Sequence, residues 1–256
     1  MDNNKYFFQQ EQIEERMIAL ISYDSTDPES VIKAEQTQHS IERYDGWEVA
    51  LVPKITRDFL LERPYKKWIK RGKMESHEDK IKKYPDEEAR FYRSLIKNQI
   101  DARSHLLFWQ RVVSTKQTMT FVEAGMNCYG DWQGGKFRDC LMLHFEHAFD
   151  FPTVNEKYYL HTPKNKEHGV HKIADNYPLE YTHENEYKGS HMIAGADAYT
   201  LTSRGAKKLL DGVNKYGLDQ AGHVINTKLV EIEYLFPSIF RYDTPDLLPT
   251  DGTRLP

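Results

Sequence analysis

Apolar residues in this chain gather into short runs of strand length, separated by longer polar stretches with helical periodicity. The first such unit sets the architecture. Residues Met17–Tyr23 (MIALISY) form an apolar run closed by the polar turn Asp24-Ser25-Thr26. Asp27 then stands as a helix cap with Pro28 at the first helical position, and Val31, Ala34, Gln38 and Ile41 mark an inward stripe. After the turn at Asp45-Gly46 a second strand covers 47–52. This strand, helix, strand order predicts two parallel strands joined by a right-handed crossover. The 22–27 loop then lies at the carboxyl edge of a sheet.

The longest helical pattern is 87–113, with Ala102, Leu106, Trp109 and Val113 on one face. Ser104-His105 within it either faces a site or packs. The next stretch, TMTFVEAGMNCYGDW at 118–132, reads as a strand over 119–122 that runs into Glu123 and then a loop holding Gly125, Gly130 and Asp131. Ligands of open α/β sheets sit where strands end, so an acid there is a site candidate. Ala124 and Gly125 follow where a metal-binding pair would have its second carboxylate. Further on come a strand at 139–145, a strand-like run with Gly195 in its middle, and a helix capped by Ser203 with Leu209, Leu210 and Val213 inward. A helix turn and a strand lie within 224–241. Gly195 either permits close approach by a ligand such as a sugar or phosphate, or marks a plain bulge. These elements predict an α/β domain over 17–241, with a mixed, mainly parallel sheet and helices on both faces. A polar leader (1–16) precedes it and a proline-rich tail (242–256) follows.

Composition then narrows the partners. With 35 basic and 39 acidic residues in 256 and a net charge of −4, there is no global attraction to nucleic acid or anionic membrane. Any such partner must be met by a local patch. The basic insertion 54–90 offers one, with Lys66, Lys67, Lys70 and Arg71 crowded around Trp68. Basic residues interleaved with aromatics grip phosphate backbones and stack on bases, and the same segment also reads as a solvated face. No apolar run approaches the roughly 20 residues of a membrane span, and the start lacks a signal-peptide core, so a cytoplasmic protein is expected. Cys128 and Cys140 read as two reduced thiols. The 146–190 segment is polar, rich in His and Tyr, and poor in periodicity. Its histidines have no zinc-site spacing, and a lid or acceptor-binding loop is the expectation.

Taken together, SHLLFWQRVV, FVEAG, GADAYTLTSRGAKKLL, AGHVINTKL and EYLFPSIFR succeed one another in an order that resembles the family 25 glycosyltransferases, closest to their short bacteriophage members. The opening, KAEQTQHSIERY and WEVALVPKIT, is also similar. The resemblance implies a GT-A type fold and transfer of a sugar from a nucleotide-sugar donor, most simply a UDP-sugar, to a hydroxyl acceptor. The resemblance points to a modified base in phage DNA or a surface glycan as that acceptor. It implies Glu123 and Asp197 as catalytic residues, and a donor site of Ser22, Tyr23, Gly125, Gly195, Lys188 and His223. The acceptor contacts would be Lys66, Lys67, Trp68, Lys70 and Arg71.

In that family the strand ends in an acidic motif whose aspartate helps hold a divalent metal on the donor diphosphate. Here Gly125 stands at that position, and Gly222 stands where a second aspartate precedes the late Ile-Asn. Glycine supplies no ligand, so bound manganese or magnesium is in doubt. Three readings stay open. In the first, a metal-independent transferase uses His223, Lys188 or Arg204 against the diphosphate charge. In the second, the chain is an inactive relative kept for binding or structure. In the third, Asp131, Asp197 or Asp219 supplies the carboxylate.

Overall fold

The computed structural model describes residues 17–63, 68, 85–130, 136–144, 168–173, 187–193 and 195–242, with side chains in the long helix from residue 97 onward. Strand β1 (Met17–Tyr23), helix α1 (Pro28–Ile41) and strand β2 (Trp47–Pro53) open the fold, and β1 and β2 pair in parallel. Asp27 caps α1 by accepting from the Glu29 amide, with Pro28 in the first turn, as the sequence pattern predicts. Helix α2 (Arg57–Glu62) and the long helix α3 (Pro85–Thr115) lead to β3 (Met119–Glu123) and β4 (Met126–Cys128). Then follow β5 (Cys140–Met142), β6 (Gly169–Lys172), β7 (Ala198–Leu201), α4 (Ser203–Tyr216), the single turn α5 (Ala221–Val224), β8 (Ile232–Phe236) and β9 (Phe240–Tyr242).

Among the described residues, seven strands form one sheet in the order β2-β1-β3-β7-β5-β8-β6. β2, β1, β3, β5 and β8 run one way, while β7 and β6 run the other. The sheet is therefore mixed and mainly parallel. Side chains alternate across it, as a pleated strand requires. Leu20, Met119, Phe121, Cys140, Met142, Tyr199 and Leu201 face a core with Trp109 and Val112 of α3, Leu209 and Val213 of α4 and Val224 of α5. Ala19, Ile21, Val122, Leu141 and Ala198 face the other core, shared with Ala34 and Ile41 of α1, Met126 and Cys128 of β4 and Phe240 of β9. Helices thus cover both faces, and the β4-β9 ribbon joins α1 over the second.

Several local expectations are corrected. The α4 cap is Thr202, whose Oγ1 accepts from the Gly205 amide at 3.1 Å, and Ser203 is the first helical residue. Gly195 lies ahead of β7, outside the strand. In α1, Thr37 and Ser40 are buried where Val31 and Gln38 were expected, because both hydroxyls donate to the helix's own carbonyls and accept from amides of the β3-β4 segment. β6, within the segment read as loop, is an edge strand held through backbone pairing to β8. Within the segment 54–90, read as a basic insertion, Lys54 follows β2 directly and Leu60 of α2 is buried. Both cysteines, in agreement with the sequence reading, are buried thiols outside any disulfide.

Candidate functional site

Parallel pairing of β1 with β3 places Ser22 opposite Glu123, and pairing with β2 places it opposite Val52. Three carboxyl ends therefore meet at one edge. β7 runs antiparallel to β3, so its amino end comes to this same edge, and the Glu123 amide donates to the Asp197 carbonyl at 2.7 Å. Glu123 and Asp197, far apart in sequence, are neighbours here.

Glu123 lies on the same face of β3 as Phe121, toward α3. Lys54, which follows β2 directly, reaches under it. Its ammonium sits 2.9 Å from Glu123 Oε2 and 2.8 Å from Asp101 Oδ1 on α3. Only 15% of the Lys54 side chain and 16% of that of Glu123 are exposed. Burial of a charge disfavours it unless a partner compensates. For Lys54 burial pushes the ammonium toward deprotonation, but Glu123 and Asp101 outweigh it and hold it charged. For Glu123 burial is the larger effect: its carboxyl is pushed up to about 7 although Lys54 opposes this. Asp24, in the β1-α1 loop, stands near enough to feel Lys54, and its carboxyl is held below the ordinary range chiefly by the side chain and backbone of Thr26.

Asp197 is the more open carboxylate, with 33% of its side chain exposed. His144 Nδ1 lies 3.5 Å from its Oδ2, and the Tyr242 hydroxyl bonds to it from β9. Burial, then the charges of Asp197 and Glu123, raise the Tyr242 hydroxyl well above its ordinary value, so it stays a donor. A Cβ built on Gly195 would stand 2.8 Å from Asp197 Oδ2. The space at Gly195 is thus filled by the chain's own carboxylate.

Beneath the edge lies a buried aromatic layer. Trp109 Nε1 donates to the Tyr199 hydroxyl at 2.9 Å, and His105 Nδ1 lies 2.9 Å from the same oxygen, with its ring 4.0 Å from that of Phe121. Burial, then the Lys54 charge, draw His105 down to about 3. It is neutral and packs, the structural one of its two readings.

The other sequence candidates fall as follows. Ser22 is buried and its carbonyl accepts the Ala124 amide, while the Tyr23 carbonyl accepts the Lys54 amide. Both fix the edge through backbone. Gly125, in the β3-β4 turn at φ 97°, adopts a backbone conformation that side-chain-bearing residues rarely take. Gly222 is crowded instead: a Cβ there would stand 2.8 Å from the Ile193 carbonyl oxygen. His223 Nδ1 lies 3.1 Å from Asp219 Oδ2 in the turn before and within α5, and Lys188 is exposed in the 187–189 turn. Both stand on segments other than those that build the Glu123–Asp197 pair. Trp68 packs against the α3–α4–α5 core and its backbone bridges to Leu218. Lys66, Lys67, Lys70, Arg71 and Asp131 lie outside the described residues.

Sequence reasoning missed Lys54, Asp101 and Tyr242. Lys54 had a readable signal, since it follows an apolar strand as Glu123 does. Asp101 and Tyr242 reach the edge only through tertiary packing.

Among the described residues, no three His, Cys, Asp or Glu side chains converge as a metal-holding group. With Gly125 set by backbone conformation and Gly222 by crowding, those residues do not fit the divalent cation that the resemblance implies. Among the same residues no helix is long and apolar enough to cross a membrane. No protein-family model matches the chain, and no curated protein matches it significantly.

Proposed function

We propose that the chain is a nucleotide-sugar glycosyltransferase of GT-A type whose reaction centre is the carboxyl edge carrying Glu123 and Asp197. The observation that carries this reading is their meeting through the 2.7 Å hydrogen bond between their backbones, at the ends of three strands. The two carboxylates differ in surroundings, which supports a division of labour. Asp197, the more open, accepts the proton of the acceptor hydroxyl and is oriented by Tyr242 and His144. Glu123, buried beside Lys54, lies on the donor side, where the ammonium faces the charge that develops on the leaving diphosphate. Ser22 and Tyr23 hold the nucleotide side of the edge. The acceptor is a modified base in DNA, met by the basic segment around Trp68, or a surface glycan.

A second reading, a non-catalytic glycosyltransferase-like binding protein, is favoured by one observation: Lys54 is already held between two carboxylates. Release of UDP from a panel of UDP-sugars, with manganese and with a chelator, separates the two. Turnover that is lost in Asp197→Asn supports the transferase. A thermal shift on adding UDP without any turnover assigns the binding role. Absence of both sinks the nucleotide-sugar reading altogether.

A further inference from the structure

The charges at this edge are unbalanced for a ligand of the proposed kind. Among the described residues, Asp101 and Glu123 engage one buried ammonium, Lys54, at 2.8 and 2.9 Å, Asp24 stands near enough to feel it, and Asp197 adds its charge beside Glu123. A phosphoanion arriving here meets net negative charge, and the repulsion is strong in a partly desolvated setting. The arrangement offers one inexpensive relief. If the Glu123 carboxylate takes up a proton, one negative charge disappears and Lys54 is left with a single carboxylate partner, Asp101, free to turn a donor toward the ligand.

We propose that this edge binds a phosphoanion, such as the diphosphate of a nucleotide, through Lys54, and that binding is coupled to uptake of one proton by Glu123. The inference rests on the donor-site reading above and adds a regulation to it. The proton comes from solvent and adds to the carboxylate oxygen that faces Lys54, and no covalent bond to the ligand forms. Each element packed around Glu123 contributes to the balance. Lys54 follows β2, Asp101 and the neutral His105 come from α3, Asp197 precedes β7, and Tyr199 lies on β7. Tyr242 comes from β9, Asp24 from the β1-α1 loop, and Lys33 of α1, near Gly125, is paired with Glu29 at 2.6 Å. Burial has already lifted the Glu123 carboxyl to about 7, so its protonation needs little change near neutral pH. By reciprocity, a ligand that favours the proton is itself favoured by it.

The test is calorimetric titration of the full chain with UDP and, separately, with inorganic pyrophosphate, from pH 5.5 to 8.5, in buffers of different ionisation enthalpy. One linked proton makes affinity fall about tenfold per pH unit above neutrality, with uptake approaching one proton per ligand. Glu123→Gln should bind without that dependence and at pH 8 at least about tenfold more tightly than wild type, while reporting the ligand's own titration. Lys54→Met should lose binding, with Lys54→Arg restoring part of it. Binding of UDP with no net proton uptake in the wild type, or a Gln variant with the same pH profile, overturns the inference and leaves the donor reading standing. Proton-linked binding of pyrophosphate but not of UDP keeps the inference and removes the nucleotide. Failure of both anions to bind wild type and Glu123→Gln overturns both.

Discussion

Replacing Glu123 with Gln tests the electrostatics of the edge without any ligand. The amide keeps the shape of the carboxyl and an acceptor for Lys54, but it cannot ionise. In the folded protein the carboxyl is pushed up to about 7 from an ordinary 4.5, first by burial, with the nearby Asp101 and Asp197 adding to it and Lys54 subtracting. A carboxyl whose folded value exceeds its unfolded one binds its proton more tightly when folded. Wild-type stability therefore falls as pH rises from about 4.5 to about 7, and the loss is complete above that. At about 1.4 kcal/mol per pH unit, the span corresponds to about 3–4 kcal/mol. The difference in unfolding free energy between Glu123→Gln and wild type, from urea denaturation at pH 4.5 to 8, should grow by about this amount in favour of the variant and then level off. If the Lys54 attraction won over burial, the sign would reverse. Wild type would gain on the variant as Glu123 ionised in the acid range. That result, or a difference independent of pH, would refute the reasoning.

Three further outcomes probe the scaffold. Gly222→Ala places a Cβ against the Ile193 carbonyl and should cost about 1–3 kcal/mol in urea unfolding, because backbone rather than a flexible side chain must move. Tyr199→Phe strips the oxygen that the Trp109 indole donates to and that His105 contacts, and should cost about 1–3 kcal/mol by the same measurement. Asp139→Asn should cost about 2 kcal/mol at neutral pH, since the fully buried carboxylate holds Arg204 at 2.7 Å, Lys208 at 2.5 Å and the Glu231 amide at 3.0 Å, while both cations can rehydrate. Burial opposes ionisation of Asp139, but Lys208, the Glu231 amide and Arg204 hold its carboxyl below the ordinary 3.8. The gap between wild type and variant should therefore be present above that pH and shrink as pH falls through it.

What the sequence made legible follows the strength of its periodic signals. The apolar run at Met17–Tyr23, the capped helix after it and the strand into Glu123 have strong local determinants, and each forms as read. Register then follows, since parallel pairing of β1 with its neighbours puts Ser22 and Glu123 side by side. Elements whose formation depends on a partner were not legible. β4 and β9 are three residues each and exist as a ribbon whose strands are far apart in sequence. β6 is a polar edge strand whose backbone is satisfied by β8. The same limit applies to the site. Glu123 was readable from its place at a strand end, whereas the contact of Asp101 with Lys54 depends on how α3 lies across the sheet.

The two glycines where aspartates were expected bear most on what this edge can do. Read from sequence alone, Gly125 and Gly222 are lost ligands. In the fold each has a backbone cause: Gly125 turns the chain from β3 to β4 with positive φ, and Gly222 lets α5 approach the Ile193 carbonyl. A side chain at either position works against the chain path, so their lack of a carboxylate follows from packing whatever chemistry the edge performs. The acid beside Glu123 comes instead from topology. Because β7 is inserted antiparallel between β3 and β5, its entry residue Asp197 reaches the carboxyl edge that parallel strands reach with their ends. Gly195, two residues earlier, leaves the room its carboxylate occupies. The number of acids at the edge is thus set by the direction of one strand, and their charge by a lysine that belongs to another.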